Sequence, residues 1–220
     1  MGGELFVMDD GWFGDKYPRK NDSSSLGDWV VDKNKLPNGI ECLLSDAKKH
    51  GVKFGIWIEP EMANTTSELY EKHPDWVLKA SERDVVLGRG GTQVVLDLAN
   101  PAVQDFVFGV VDNLMTSYPE IDYIKWDANM SVQNHGSQYL TKDNQSHMYI
   151  EFHRGFEKIC QRIRAKYPNC TTGRMVLYSA MAFLQRAFSS SVIFLGWISI
   201  PKRPLMATSI RYFRGMVRNV

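Results

Sequence analysis

Ile121-Asp122-Tyr123-Ile124-Lys125-Trp126-Asp127-Ala128-Asn129 reads as an apolar strand, Ile121 to Trp126, that stops at a carboxylate. Residues two apart on a strand share a face. Lys125, Asp127 and Asn129 are therefore expected to project together past the strand end. A cation beside a carboxylate favours its ionised form, and an ionised Asp held by its neighbours suits a nucleophile. The same pentapeptide also reads as a plain structural Lys–Asp pair.

Upstream, the pattern repeats three times. Glu4 to Met8 is a short apolar run ending at Asp9, Asp10 and Gly11. Val52 to Ile58 is a second, ending at Glu59, Pro60 and Glu61. Val94 to Leu98 is a third, with Asp97 near its end. Helical signals lie between and after these runs. Ile40, Leu43, Leu44 and Ala47 follow the helical period over Gly39 to His50, and Gly51 closes that helix. Ser67 to His73 reads as a short helix stopped by Pro74. Pro101 starts a helix to about Tyr118, in the first-turn position that proline favours. His147 to Tyr167 reads as a long helix stopped by Pro168.

Alternating strands and helices imply βαβ units and a parallel sheet. Carboxylates gather where these strands end, which is where (β/α)8 barrels carry their sites. The expected fold is α/β, a partial (β/α)8 TIM barrel holding about strands 2–5 with intervening helices. A complete barrel takes eight strands and roughly 250 residues, so four strands within the first 127 residues do not close one. No Gly-rich phosphate loop follows the first strand, which argues against a nucleotide-binding sheet.

Composition narrows the function. The chain of 220 residues has a net charge of +1 and 44% hydrophobic residues, an ordinary globular balance. No basic stripe interleaved with aromatics points to nucleic acid. The longest apolar run, Ser191 to Ile200, is far short of the ~20 residues of a membrane span. The sequence does not open on a basic segment followed by an apolar stretch, so no signal peptide is expected. Cys42, Cys160 and Cys170 fit neither a zinc site nor a disulfide framework, and a reduced, cytoplasmic setting is the expectation. Six Trp serve a large core or stacking on sugar rings equally well.

Asp9 and Asp10 suit a pair of sugar hydroxyls, a hard cation, or an ordinary Asp-Gly turn. Trp57, near its strand end, reads as a pocket wall or as core. Glu59 and Glu61 read as structural, either capping or fixing the loop. Arg89, within Gly88-Arg89-Gly90-Gly91, is a substrate contact or a solvent-facing side chain.

Taken together, Glu4 to Phe13, Gly27-Asp28-Trp29, Gly55 to Asn64, His73-Pro74-Asp75-Trp76, Val94 to Pro101 and Ile121 to Asn129 resemble the α-galactosidases of glycoside hydrolase family 36. The resemblance runs from about Gly3 to Pro168. It implies hydrolysis of terminal α-linked galactose from melibiose and raffinose-type oligosaccharides with retention of configuration. It makes Asp127 the nucleophile. Asp9 and Asp10 would bind the galactose O4 and O6 hydroxyls, and Trp57 would line the subsite. Arg89 and Lys125 would bind further hydroxyls, with Asn129 a weaker candidate. No metal or organic cofactor is implied, and relatives commonly form homo-oligomers. Some family members act on α-N-acetylgalactosamine or transfer galactosyl groups instead.

Residues 1–168 form the expected catalytic part, and 169–220 a divergent basic tail of uncertain fold. The family's acid/base Asp follows a Cys-Ser-Gly-Gly-Gly-Gly-Arg-Phe stretch after the long helix. Here Asn169-Cys170-Thr171-Thr172-Gly173-Arg174 stands in that place, and no Asp or Glu occurs from Asn169 to Val220. A changed reading frame or an erroneous gene model is the expected cause, and an inactive galactoside-binding remnant is the alternative to an active enzyme. The encoding DNA, read in its other two frames, should then yield a Gly-rich, Asp-containing stretch.

Overall fold

The computed structural model describes residues 3–129, 132, 136–168 and 175–176. The strands β1 (Leu5–Met8), β2 (Lys53–Ile58) and β5 (Tyr123–Trp126) join β6 (Met175–Val176) in one parallel sheet of order β1-β2-β5-β6. β2 is central, and it is buried from Phe54 to Ile58. An uninterrupted apolar run is what a parallel strand covered on both faces requires. β1 carries an edge without a strand partner among the described residues, and Leu5 and Phe6 are exposed there.

The helices α1 (Gly39–Lys49), α2 (Glu68–Lys72), α3 (Pro101–Ser117) and α4 (Met148–Lys166) agree with the expected ranges to within one or two residues. Ser67 caps α2 through Tyr70 N at 3.1 Å, and Asn100 caps α3 through Ala102 N at 3.0 Å. Past α1, Gly51 takes a φ of +65°, a conformation that a side chain would strain. Val103, Val107, Val110, Val111 and Leu114 form the buried stripe of α3. α4 packs through Met148, Phe152, Ile159 and Ile163. The ring of Phe156 meets the edge of Trp126 at 5.4 Å, which joins α4 to β5. Among the described residues, no helix is long and apolar enough to cross a membrane.

One strand expectation is corrected. Val94 to Leu98 does not join the parallel sheet. β4 (Gln93–Val95) pairs antiparallel with β3 (Met62–Asn64), and Leu96 bridges to Val77. β2 and β5 are therefore direct neighbours, with this two-stranded ribbon as an excursion between them. Every residue from Gln93 to Ala99 is buried, and a buried apolar run has the same pattern in a central strand and in a buried ribbon. Asp97, expected near a strand end of the sheet, is buried and hydrogen-bonds Ala99 N at 3.0 Å and the Ser137 hydroxyl. β6 is the further parallel strand that sequence reading did not separate from the tail. The reading of Ser191 to Ile200 lies outside the described residues.

Candidate active site

Asp9, Trp57 and Lys125 form a row across the sheet. Trp57 and Lys125 are register partners on β2 and β5. Asp9 follows Met8, the partner of Ile56, and so comes level with Trp57. β5 and β1 lie two strand spacings apart, about 10 Å, and the Lys125 and Asp9 side chains together span it by reaching towards each other. Its Nζ lies 2.7 Å from Asp9 Oδ2. The expected Lys125–Asp127 pairing thus gives way to an ion pair that passes over β2, from β5 to the residue following β1.

Asp127 begins where β5 ends. Its backbone N–H donates to Ile58 O at 2.8 Å, so the ladder continues to the residue itself. Trp57 Nε1 donates to Asp127 Oδ2 at 3.2 Å, and Asn129 Nδ2 donates to the same oxygen at 2.9 Å. The shared face expected for Asp127 and Asn129 is present. Trp57 is only 2% exposed, and its ring stacks on Phe13 at 6.1 Å. It is a core residue, as one of its two sequence readings expects, and its indole N–H reaches Asp127. Trp12 Nε1 donates to Trp57 O at 2.9 Å and fixes the strand from the other side.

Two carboxyls behind Asp127 have a different character. Glu59 Oε1 accepts Asn129 N–H at 2.7 Å, and Glu61 Oε2 accepts Trp126 Nε1 at 2.6 Å. They hold the chain on either side of Asp127, as the loop-fixing reading expects. Burial pushes Glu59 up to about 7, with the Asp127 charge adding to it and the Asn129 hydrogen bonds and Arg89 opposing. Burial and then the Glu59 charge raise Glu61 well above the carboxylate range. Glu59 Oε2 and Glu61 Oε1 are buried with no hydrogen-bond partner among the described residues. An uncharged carboxyl tolerates this far better than an anion.

Asp10 is held by Arg19, which lies in the polar stretch Asp15 to Asn38, a run with Gly, Pro and a Ser triplet. Arg19 Nε and Nη2 meet the two Asp10 oxygens at 3.0 and 2.6 Å. Arg89 lies on the other side of this group, with its Nη1 3.6 Å from Asp22 Oδ2 and a left-handed φ of 41°. No periodicity or motif in the stretch Asp15 to Asn38 points to Arg19. Only its proximity in the fold does.

An ionisable row at the mouth of a parallel sheet, with a carboxylate held by two N–H donors, is an arrangement able to bind a polyol and attack it. Residues 1–178 match the family described as Melibiase. The chain belongs to the Melibiase family. Alpha-galactosidase AgaA from Geobacillus stearothermophilus is 40% identical over 169 residues, which are 77% of this chain and 22% of that protein. The crystal structure of the alpha-galactosidase from Lactobacillus brevis matches with a TM-score of 0.70 at 42% identity, covering 76% of this chain and 22% of that one. A variant of AgaA in complex with raffinose matches with a TM-score of 0.70 at 39% identity, over 76% of this chain and 22% of its own. This melibiase-family chain thus spans about a fifth of the length of the relatives it matches. The family match runs ten residues past Pro168, where the sequence resemblance was expected to end, and takes in β6.

Proposed function

We infer that this chain carries the galactose-binding and nucleophile portion of a retaining α-galactosidase acting on melibiose and raffinose-type sugars. In this reading β1, β2, β5 and β6 are neighbouring strands, about 2–5, of a (β/α)8 barrel. Asp127 is the nucleophile. One of its oxygens bonds to the anomeric carbon as the glycosidic bond breaks, and water later hydrolyses the galactosyl-enzyme. Asp9 and Asp10 accept hydrogen bonds from the O4 and O6 hydroxyls. Trp57 borders the subsite, and Arg89, Lys125 and Asn129 bind further hydroxyls. The observation that carries the reading is the Asp127 carboxylate, held by Trp57 Nε1 and Asn129 Nδ2 at the end of β5 beside the Asp9–Lys125 pair.

The direct test is trapping with 2-deoxy-2-fluorogalactosyl fluoride, followed by peptide mass spectrometry. Fluoride leaves without protonation, so the first step does not depend on an acid. The adduct is expected on Asp127 and is expected to vanish in Asp127→Asn. An adduct on any other side chain sinks the assignment.

A second reading, a galactoside-binding remnant, rests on the run from Asn169 to Val220, which offers no carboxylic side chain as acid/base. Loss of general acid catalysis costs ~10²–10⁴-fold on a poor leaving group. Turnover of an activated aryl α-galactoside without turnover of raffinose would mark an enzyme without its acid. Galactose binding with neither activity would mark the remnant.

A further inference from the structure

Arg19 has a side chain only 2% exposed, yet it carries a full charge. A guanidinium has five N–H donors, and each of the five has an acceptor. Nε and one Nη2 hydrogen take the two oxygens of Asp10, at 3.0 and 2.6 Å. The second Nη2 hydrogen reaches Asp22 Oδ1 at 3.3 Å. Nη1 donates to Ser24 O at 2.9 Å and to Asn64 Oδ1 at 3.0 Å. The guanidinium lies 5.5 Å from the centre of the Phe13 ring, which belongs to the aromatic cluster under Trp57. Lys35 Nζ donates to the backbone carbonyl of Arg19 as well as to Gly11 O, tying the loop to the end of β1.

A bidentate pair fixes a carboxylate in the plane of the guanidinium. Asp10 remains 28% exposed, so its outer lone pairs stay open to a ligand. Asp22 extends the arrangement. Its backbone carbonyl accepts Asn64 Nδ2 at 2.8 Å and Gln93 Nε2 at 3.2 Å, and this holds its carboxylate between Arg19 and Arg89.

We propose that Arg19 is a positioning residue that sets the sugar specificity of this site, aiming Asp10 directly and registering Arg89 through Asp22. The proposal rests on the reading of Asp10 and Arg89 as galactose contacts, with Asp10 accepting from the axial O4 hydroxyl. An axial hydroxyl is told from an equatorial one by where its acceptor points, and here one buried cation sets that direction. Two loops and the β3–β4 ribbon converge on it, so the acceptor and the Arg89 donor keep a constant spacing.

The test is calorimetric binding of methyl α-galactoside and methyl α-glucoside to the full chain. The unsubstituted chain is expected to prefer the galactoside. Arg19→Lys keeps the charge and loses the planar fork. Its galactoside Kd is expected to rise on the order of tenfold or more while the glucoside Kd stays level, because a misaimed acceptor loses a charged hydrogen bond to one sugar only. A purely structural role would weaken both sugars alike. Asp22→Asn, at an exposed carboxylate, is expected to lose roughly threefold in galactoside affinity by releasing Arg89, and it serves if Arg19→Lys does not fold. A galactoside preference unchanged in folded Arg19→Lys, or in Asp22→Asn where that variant replaces it, overturns the proposal and leaves the galactose reading intact. An unsubstituted chain that prefers neither sugar overturns the galactose reading and the proposal with it.

Discussion

Asp9 and Glu61 stand on neighbouring strands' ends in opposite surroundings. Asp9 has a side chain 63% exposed and shares an ion pair with Lys125, itself 39% exposed. Glu61, with Glu59, is sealed behind Asp127. Water screens the first pair and is shut out from the second. The open row therefore stays accessible to solvent and adds little to stability. The sealed pair raises its proton affinity and acts as packing.

Glu61→Ala should give the largest effect. It opens a cavity and strips the buried Trp126 indole of its acceptor, at a cost of ~2–4 kcal/mol. For a chain of this size that is a fall in Tm of roughly 5–15 °C. Asp9→Ala is expected to stay within about 1 kcal/mol. Thermal unfolding of both variants decides, and equal losses would erase the contrast.

Next is the pH dependence. The folded Glu59 carboxyl titrates at about 7 against 4.5 for an unperturbed one. The folded state therefore binds this proton more tightly than the unfolded state. Its stabilising contribution is fully present below about 4.5 and is lost as pH rises through 7. The slope is at most about 1.4 kcal/mol per pH unit for one proton. Urea unfolding between those pH values should show this decline, and Glu59→Gln should flatten it. A slope unaltered by the substitution would place the titration elsewhere.

The smallest effect belongs to Lys125→Met. Breaking a solvent-exposed ion pair costs under about 1 kcal/mol. The stability gap to the unsubstituted chain should shrink further in molar salt, where screening removes most of what the pair contributes. A loss of several kcal/mol that salt leaves untouched would mean that the row is as sealed as the Glu59–Glu61 turn.

Much of this contrast was legible in the residues. Strand alternation brought Asp127 and Asn129 to one face, and the Glu59-Pro60-Glu61 turn read as a loop-fixing element. Lys125 was read towards Asp127 because spacing along one strand carries no information about neighbouring strands. Its partner, just past the end of β1, is 116 residues away. Trp57 looked like a wall or a core residue, and it proved to be buried with its N–H on Asp127. Arg19 had no signal at all, since five donors in a polar loop announce nothing until five acceptors surround them.

By itself the sequence determined the parallel α/β order, the helix ends marked by Gly51, Pro74, Pro101 and Pro168, and the family to which the chain belongs. These follow from local periodicity, capping and contiguous motifs, which need no knowledge of distant partners. Tertiary structure alone decided that Val94 to Leu98 leaves the sheet, that Lys125 crosses to Asp9, and that Arg19 holds Asp10. It also decided which carboxyls are sealed from water and hold a proton more tightly. Each of these depends on register between strands and on the exclusion of water, and both arise only when segments far apart in sequence pack together.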